Sequence, residues 1–224
     1  MGIDLVSGVA RGVTIQNNTV VGNADSGIAL LAPIGPEASL VVNNIVINNS
    51  RFGIEMKNPS GNGAASGADS VMVRGNVVSR TAASAYTDGP DSAGIIAFER
   101  LSTGLLPVQP SGVRVERNTV TSYKCASDAI TAPLPVSGVA DGFGIVVEGT
   151  NNTVVFNLVS DNNIGIQLQS ANPTSTSARA DPQIPHFDRG DAASLSAVVN
   201  NNAMCFNTDF GLRKYKGAAG ARLR

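Results

Sequence analysis

Short runs in which apolar and polar residues alternate recur six times along this chain, and each run is broken by an asparagine. The markers are Asn18, Asn44, Asn76, Asn118, Asn157 and Asn202. Ile15, Val41, Val73, Val115, Val154 and Val199 stand three residues before them, and Val20, Val46, Val78, Val120, Val159 and Met204 two residues after. A glycine with Ile or Leu behind it then closes each unit, at Gly27, Gly53, Gly94, Gly144, Gly165 and Gly211. The step from Asn to Gly is eight or nine residues in four units, and 18 and 26 in the other two. Each unit has room for two or three short strands of period 2 and carries no ten-residue stripe of period 3.6. The pattern therefore predicts an all-β chain. Stacking the units in parallel, each strand about 4.8 Å from its copy, closes a coil around a continuous core. Residues 1–224 read as a single parallel β-helix domain of about six coils, with long loop insertions on coils three to five.

Within that frame the markers have structural work. Asn tolerates the left-handed backbone of a tight turn, and identical amides stacked coil on coil can bond to one another as a ladder. The glycines mark either a positive φ or a close approach of backbone. Around them a period of 2 puts Phe52, Ile54 and Met56, then Phe143, Ile145 and Val147, then Ile164, Ile166 and Leu168 inward, with Phe210 in the same column as Phe52 and Phe143. The same period turns Glu55 and Lys57, Ile96 and Phe98, Val146 and Glu148, and Gln167 and Gln169 outward.

At these residues the chain resembles the right-handed parallel β-helix repeat proteins, the pectate-lyase-like superfamily, and within it the carbohydrate-binding and sugar-hydrolase type of repeat. The resemblance runs from Gly2 to Tyr215 and implies a right-handed solenoid, an extracellular or periplasmic location, and polysaccharide as partner. It does not select a reaction, because polysaccharide lyases, glycoside hydrolases, uronate epimerases and non-catalytic adhesins share the fold. Asn207-Thr208-Asp209 resembles one element of the polygalacturonases, but the remaining acidic pair and Gly-His-Gly have no counterpart downstream.

Composition narrows the classes. The formal net charge is −1, with Lys and Arg scattered, so there is no phosphate-backbone footprint and nucleic acid is set aside. No apolar run reaches the length of a membrane span. One His and two separated cysteines, Cys125 and Cys205, give no zinc or copper set, and both thiols are expected to be free. Asp88 and Asp91 form a turn able to offer Ca²⁺ two carboxylates, short of the six or more oxygens it needs, so no cofactor is expected. Gly2-Ile3-Asp4-Leu5 already has the form of a glycine strand, and the chain reads as a segment of a longer solenoid or as one that pairs end to end or side on.

Chemistry is expected where loops gather. Insertions at 81–92 and 122–141 precede two glycine strands, and long connections at 57–68 and 99–110 follow two, which points to a groove over the outer face of those strands. Glycosidic cleavage wants two carboxylates about 5 to 9.5 Å apart, for which Glu55, Glu99 and Glu148 are the candidates. Lys57, Phe98, Arg100, Gln167, Gln169, Asp88, Asp91 and Tyr123 are the candidate sugar contacts, mixing charge, amides and flat rings. Against this stands the plainer expectation that exposed charges on a solenoid only solvate it, which makes the chain a non-catalytic structural or adhesive rod binding a partner protein.

Overall fold

The computed structural model describes residues 1–5, 9–61, 68–81, 92–99, 110–124, 142–169, 197–208, 210–214 and 222–223. Among them there is no helix, and the strands form three parallel sheets in which neighbours are three strands apart in sequence. That is consistent with a parallel β-helix solenoid. The leading sheet holds Thr14–Gln16, Ser39–Val42, Val71–Arg74, Val113–Glu116, Asn152–Val155, Ala197–Asn200 and Arg222–Leu223. The middle sheet follows each marker Asn and holds Thr19–Val21, Ile45–Ile47, Val77–Ser79, Thr119–Thr121, Leu158–Ser160 and Ala203–Cys205. The glycine sheet holds Ile3–Leu5, Ile28–Leu31, Phe52–Lys57, Ser92–Phe98, Gly142–Glu148, Ile164–Gln169 and Phe210–Lys214. Registers run copy on copy: Val41 pairs Val73, Val46 pairs Val78, and Ile54 pairs both Ile28 and Ile95.

The marker asparagines stack into a continuous column. Each side-chain Nδ2 donates to the Oδ1 of the next marker, from Asn18 through Asn44, Asn76, Asn118 and Asn157 to Asn202, at 2.8 to 3.0 Å. The same Oδ1 atoms also accept the backbone N–H of the marker before, again at 2.8 to 3.0 Å. The amides donate in addition to carbonyls such as Val41, Val73 and Val115. The left-handed residue of this turn is the one before each marker: Asn17, Asn43, Gly75, Arg117, Phe156 and Asn201 have φ between 52° and 66°. The markers themselves are thus selected for the amide and not for a left-handed backbone.

A close approach, not a positive φ, explains the glycine column. A Cβ on Gly94 would lie 2.2 Å from Val120 Cγ1 and 2.8 Å from the Gly144 carbonyl oxygen, and one on Gly53 would lie 2.2 Å from Val78 Cγ1. Such a Cβ points into the coil, where Val78 and Val120 are core residues. The next residue, Ile54 or Ile95, belongs to the same core. Gly and Ile therefore both face inward at a corner, and the alternation shifts phase by one there.

That shift corrects the expected inward set. Ile54, Met56, Ile145, Val147, Ile166 and Leu168 do line the coil core. Phe52, Phe143 and Ile164 instead join Ala93, Ile96, Phe98 and Val146 in a second buried cluster on the opposite face of the glycine sheet. Phe210, expected inward in the same column, is half exposed.

Replacing Asn118, the middle rung, with Ala removes the acceptor for both the backbone N–H and the amide of Asn76. Each stranded donor costs about 1–3 kcal/mol, so urea unfolding should show Asn118→Ala destabilised well beyond Asn18→Ala at the first rung, which receives no such pair among the described residues. Gly94→Ala should lose a further increment of overpacking, roughly 1–3 kcal/mol, read from the same unfolding midpoint.

Candidate functional site

The outer face of the glycine sheet carries Glu55, Lys57, Phe98, Glu148 and Gln167, and alternation along each strand places them there. Register aligns Glu55 with Ile96, Ile96 with Val146, Val146 with Gln167 and Gln167 with Arg213, while Lys57 lies beside Phe98 and Glu148 beside Gln169. The expected direction holds, but the expected exposure does not. Glu55, Lys57, Phe98, Glu99, Glu148 and Gln167 are all buried. Arg100, Asp88 and Asp91 lie outside the described residues, as do Cys125 and most of the four insertions.

Several of the buried polar groups bond to one another. Ser26 Oγ donates to Glu55 Oε2 at 2.7 Å, and Lys57 Nζ stands 3.3 Å from the same oxygen. Desolvating a lone ammonium or carboxylate costs several kcal/mol, so the two are stable here only as a pair. Further along the stack, Glu148 Oε2 accepts the backbone N–H of Glu99 at 2.7 Å. Arg213 Nε donates to Gln167 Oε1, and its guanidinium lies 5.5 Å from the centre of the Phe143 ring. Between these polar ends sit the rings of Phe52 and Phe98, with centroids 6.0 Å apart and planes inclined at 53°. The guanidinium of Arg51 covers Phe52 at 4.8 Å. Of the three candidate glutamates, Glu99 and Glu148 meet, while Glu55 sits on the other side of the Ser92–Phe98 strand, tied to Ser26 and Lys57.

Tyr123 is the clearest relocation. Expected on a loop wall, it is fully buried in the coil core, with the Arg80 guanidinium 5.2 Å from its ring centre. Its hydroxyl finds no hydrogen-bond partner among the described residues. Burial pushes its pKa well above the usual phenol range, and the Arg80 charge only partly opposes this. Arg80 is anchored by donating to the carbonyls of Ser50 at 2.8 Å and Lys124 at 2.7 Å.

Sequence reasoning passed over a second asparagine column, five residues beyond the first. Asn23 donates to Asn49 Oδ1 at 2.8 Å and Asn162 to Asn207 Oδ1 at 3.0 Å, again with the matching backbone N–H bonds. The Asn-x₄-Asn spacing was visible in four units. In the other two, the fifth residue is Thr81 or Tyr123, and these are the units with the long Asn-to-Gly steps. Tyr123 fills the vacated column: its ring approaches the Cβ position of Gly94 and its hydroxyl that of Gly53. Outside the core, Asp161 accepts from Lys124 and from Ser122 Oγ, and the Lys124 bond is the main cause that holds its carboxyl below the ordinary value.

Among the described residues no cluster of three His, Cys, Asp or Glu could hold a metal ion, and no helix is long and apolar enough to cross a membrane. Cys205 is a free, partly exposed thiol. Comparison with family models, with curated proteins and with solved structures finds no match for this chain. Function is therefore read from its own residues.

The Tyr123 hydroxyl gives a signed expectation. Its folded pKa lies above the unfolded one, so the stability it confers is intact below about pH 10 and falls as pH rises beyond that, by up to about 1.4 kcal/mol per pH unit. Tyr123→Phe should remove this alkaline component. At neutral pH the variant should be unchanged or up to about 1 kcal/mol more stable, because it deletes a buried hydroxyl with no partner among the described residues. Urea unfolding at pH 7 and across pH 9 to 11 measures both.

Proposed function

We propose that this chain is a polysaccharide-binding scaffold and not a hydrolase, lyase or epimerase. The observation that carries the reading is the state of the candidate catalytic groups: Glu55, Glu99, Glu148 and Lys57 are buried, and Glu55, Lys57 and Glu148 are engaged with protein partners. A general acid or base must reach a proton on the substrate within hydrogen-bond distance. A carboxylate closed into an ion pair beneath a phenylalanine cluster serves packing instead. In this reading the fold is a right-handed parallel β-helix of the pectate-lyase-like kind, about six coils with insertions on coils three to five. The protein is exported, extracellular or periplasmic, and works without a cofactor. The marker columns supply a repetitive, in-register stack, which suits the display of a long binding face to a long polymer.

A second reading keeps catalysis at Glu99 and Glu148, because the backbone of one holds the carboxylate of the other and brings both to the end of neighbouring strands. The two readings part on substitution. Incubation with polyuronates and neutral glycans should yield no new reducing ends and no unsaturated products. Glu148→Gln should cost about 1–2 kcal/mol of stability through the weakened bond to Glu99. Glu55→Gln should cost about 3–5 kcal/mol by leaving Lys57 buried without its counter-charge. Release of products that Glu148→Gln abolishes at unchanged stability restores the enzyme.

A further inference from the structure

The outer face of the middle sheet differs from every other surface of the stack. Its inward residues, Val20, Val46, Val78, Val120 and Val159, are core. Its outward residues form two rows in register. One is Thr19, Ile45, Val77, Thr119, Leu158 and Ala203; the other is Val21, Ile47, Ser79, Thr121, Ser160 and Cys205. None of the twelve is buried, and none is charged. The leading sheet, by contrast, sets Arg74, Arg114 and Glu116 in an ion cluster on its outer face. Among the described residues, charge beside the middle sheet stands in the flanking turns, at Arg117, at the buried Arg80 and at the Asp161–Lys124 pair. Two rings stand at those turns as well: Phe156 is 50% exposed, with the Arg117 guanidinium 5.9 Å from its ring centre, and Phe206 is 86% exposed. An 86% exposed phenylalanine beside an uncharged, solvent-facing strip is a candidate contact surface.

Size decides what kind of partner fits. Six strands at about 4.8 Å and three residues at about 3.3 Å make a strip of about 24 Å by 10 Å, roughly 250 Å². A stable protein interface needs about 800 Å² on each side. The face is therefore too narrow for a second copy of this chain or for another globular protein, but it suits one extended chain of small, flat units. Its chemistry mixes aliphatic side chains with the hydroxyls of Thr19, Ser79, Thr119, Thr121 and Ser160, the combination that suits a pyranose ring with its apolar face and hydroxyl rim. The stack repeat is also close to the length of one sugar unit along an extended chain. The lack of charge excludes the ion pairs that would hold a polyuronate.

We infer that the outer face of the middle sheet binds a neutral, extended glycan lying along the stack, with Phe156 and Phe206 as stacking rings at its margins. This rests on the polysaccharide reading above and moves its site from the buried glycine sheet to this one. The test is titration calorimetry of the full chain with cellohexaose, xylohexaose, mannohexaose, chitohexaose and hexagalacturonate, for the wild type and for Val77→Lys, Leu158→Lys and Phe206→Ala. All three substitutions are at exposed positions, and thermal unfolding verifies that each variant keeps its fold. At least one neutral hexasaccharide should bind. Each Lys variant should weaken it at least about tenfold by forcing a charge against an uncharged strip, and Phe206→Ala about fivefold. Binding that ignores the Lys substitutions overturns this face while leaving the polysaccharide reading standing. Preference for hexagalacturonate overturns the neutral assignment. Absence of binding to all five sugars removes both readings. Self-association in sedimentation that the Lys variants abolish makes the strip a contact between copies and also overturns the proposal.

Discussion

The bond from one asparagine amide to the next is the constraint on which this architecture turns. Parallel strands stacked in three sheets leave a sharp bend after every leading strand, and a bend that is buried exposes backbone groups that water cannot reach. The marker amides resolve this by bonding to the backbone on either side and to each other, so every rung both completes its own turn and fixes the height of the next. A slip of one residue would turn each row of inward valines to solvent and break the amide row at the same place. Polar satisfaction and apolar burial thus enforce the same register, and neither can be lost alone.

The glycine corner works by a different means. There the backbone of one strand passes so near the valines of the middle sheet that a methyl group has no room. Two consecutive residues face inward, and the phenylalanine before them is turned to the outer side. This one-residue change of phase carries Phe52 and Phe143 into the second apolar cluster with Ile96, Phe98 and Val146, and the glutamates on the same face are buried as well. A face that simple alternation presents as an open groove is buried at these residues.

Much of the fold was legible in the residues, because columns of Asn, Val and Gly-Ile are repeats that a stack must bring into line. The direction of Glu55, Lys57, Ile96 and Gln167 was legible too, since period 2 holds within each strand. Burial was not, for it depends on what lies over a face and not on which way a side chain points. Tyr123 shows the same gap: its place is set by the missing amide in the second column, and that column was overlooked although its spacing repeats in four units. The uncharged strip of the middle sheet lay in plain view at the residues one and three beyond each marker, but it has no motif. Only the register shows that its members are neighbours.

The two asparagine columns also differ in what they permit. The first is unbroken, so each unit must return to it at a fixed height. The second lapses where Thr81 and Tyr123 stand, and there the path to the glycine strand lengthens from eight or nine residues to 18 and 26. The first column also has a sense of direction, since every amide-to-amide bond in it runs the same way, from Asn18 toward Asn202. Aligned amide dipoles add, as peptide dipoles do along a helix. The row is therefore electrically polar, with its amide oxygens turned toward the Asn18 side and its ladder hydrogens toward the Asn202 side, so the stack has a direction even though its net charge is close to zero.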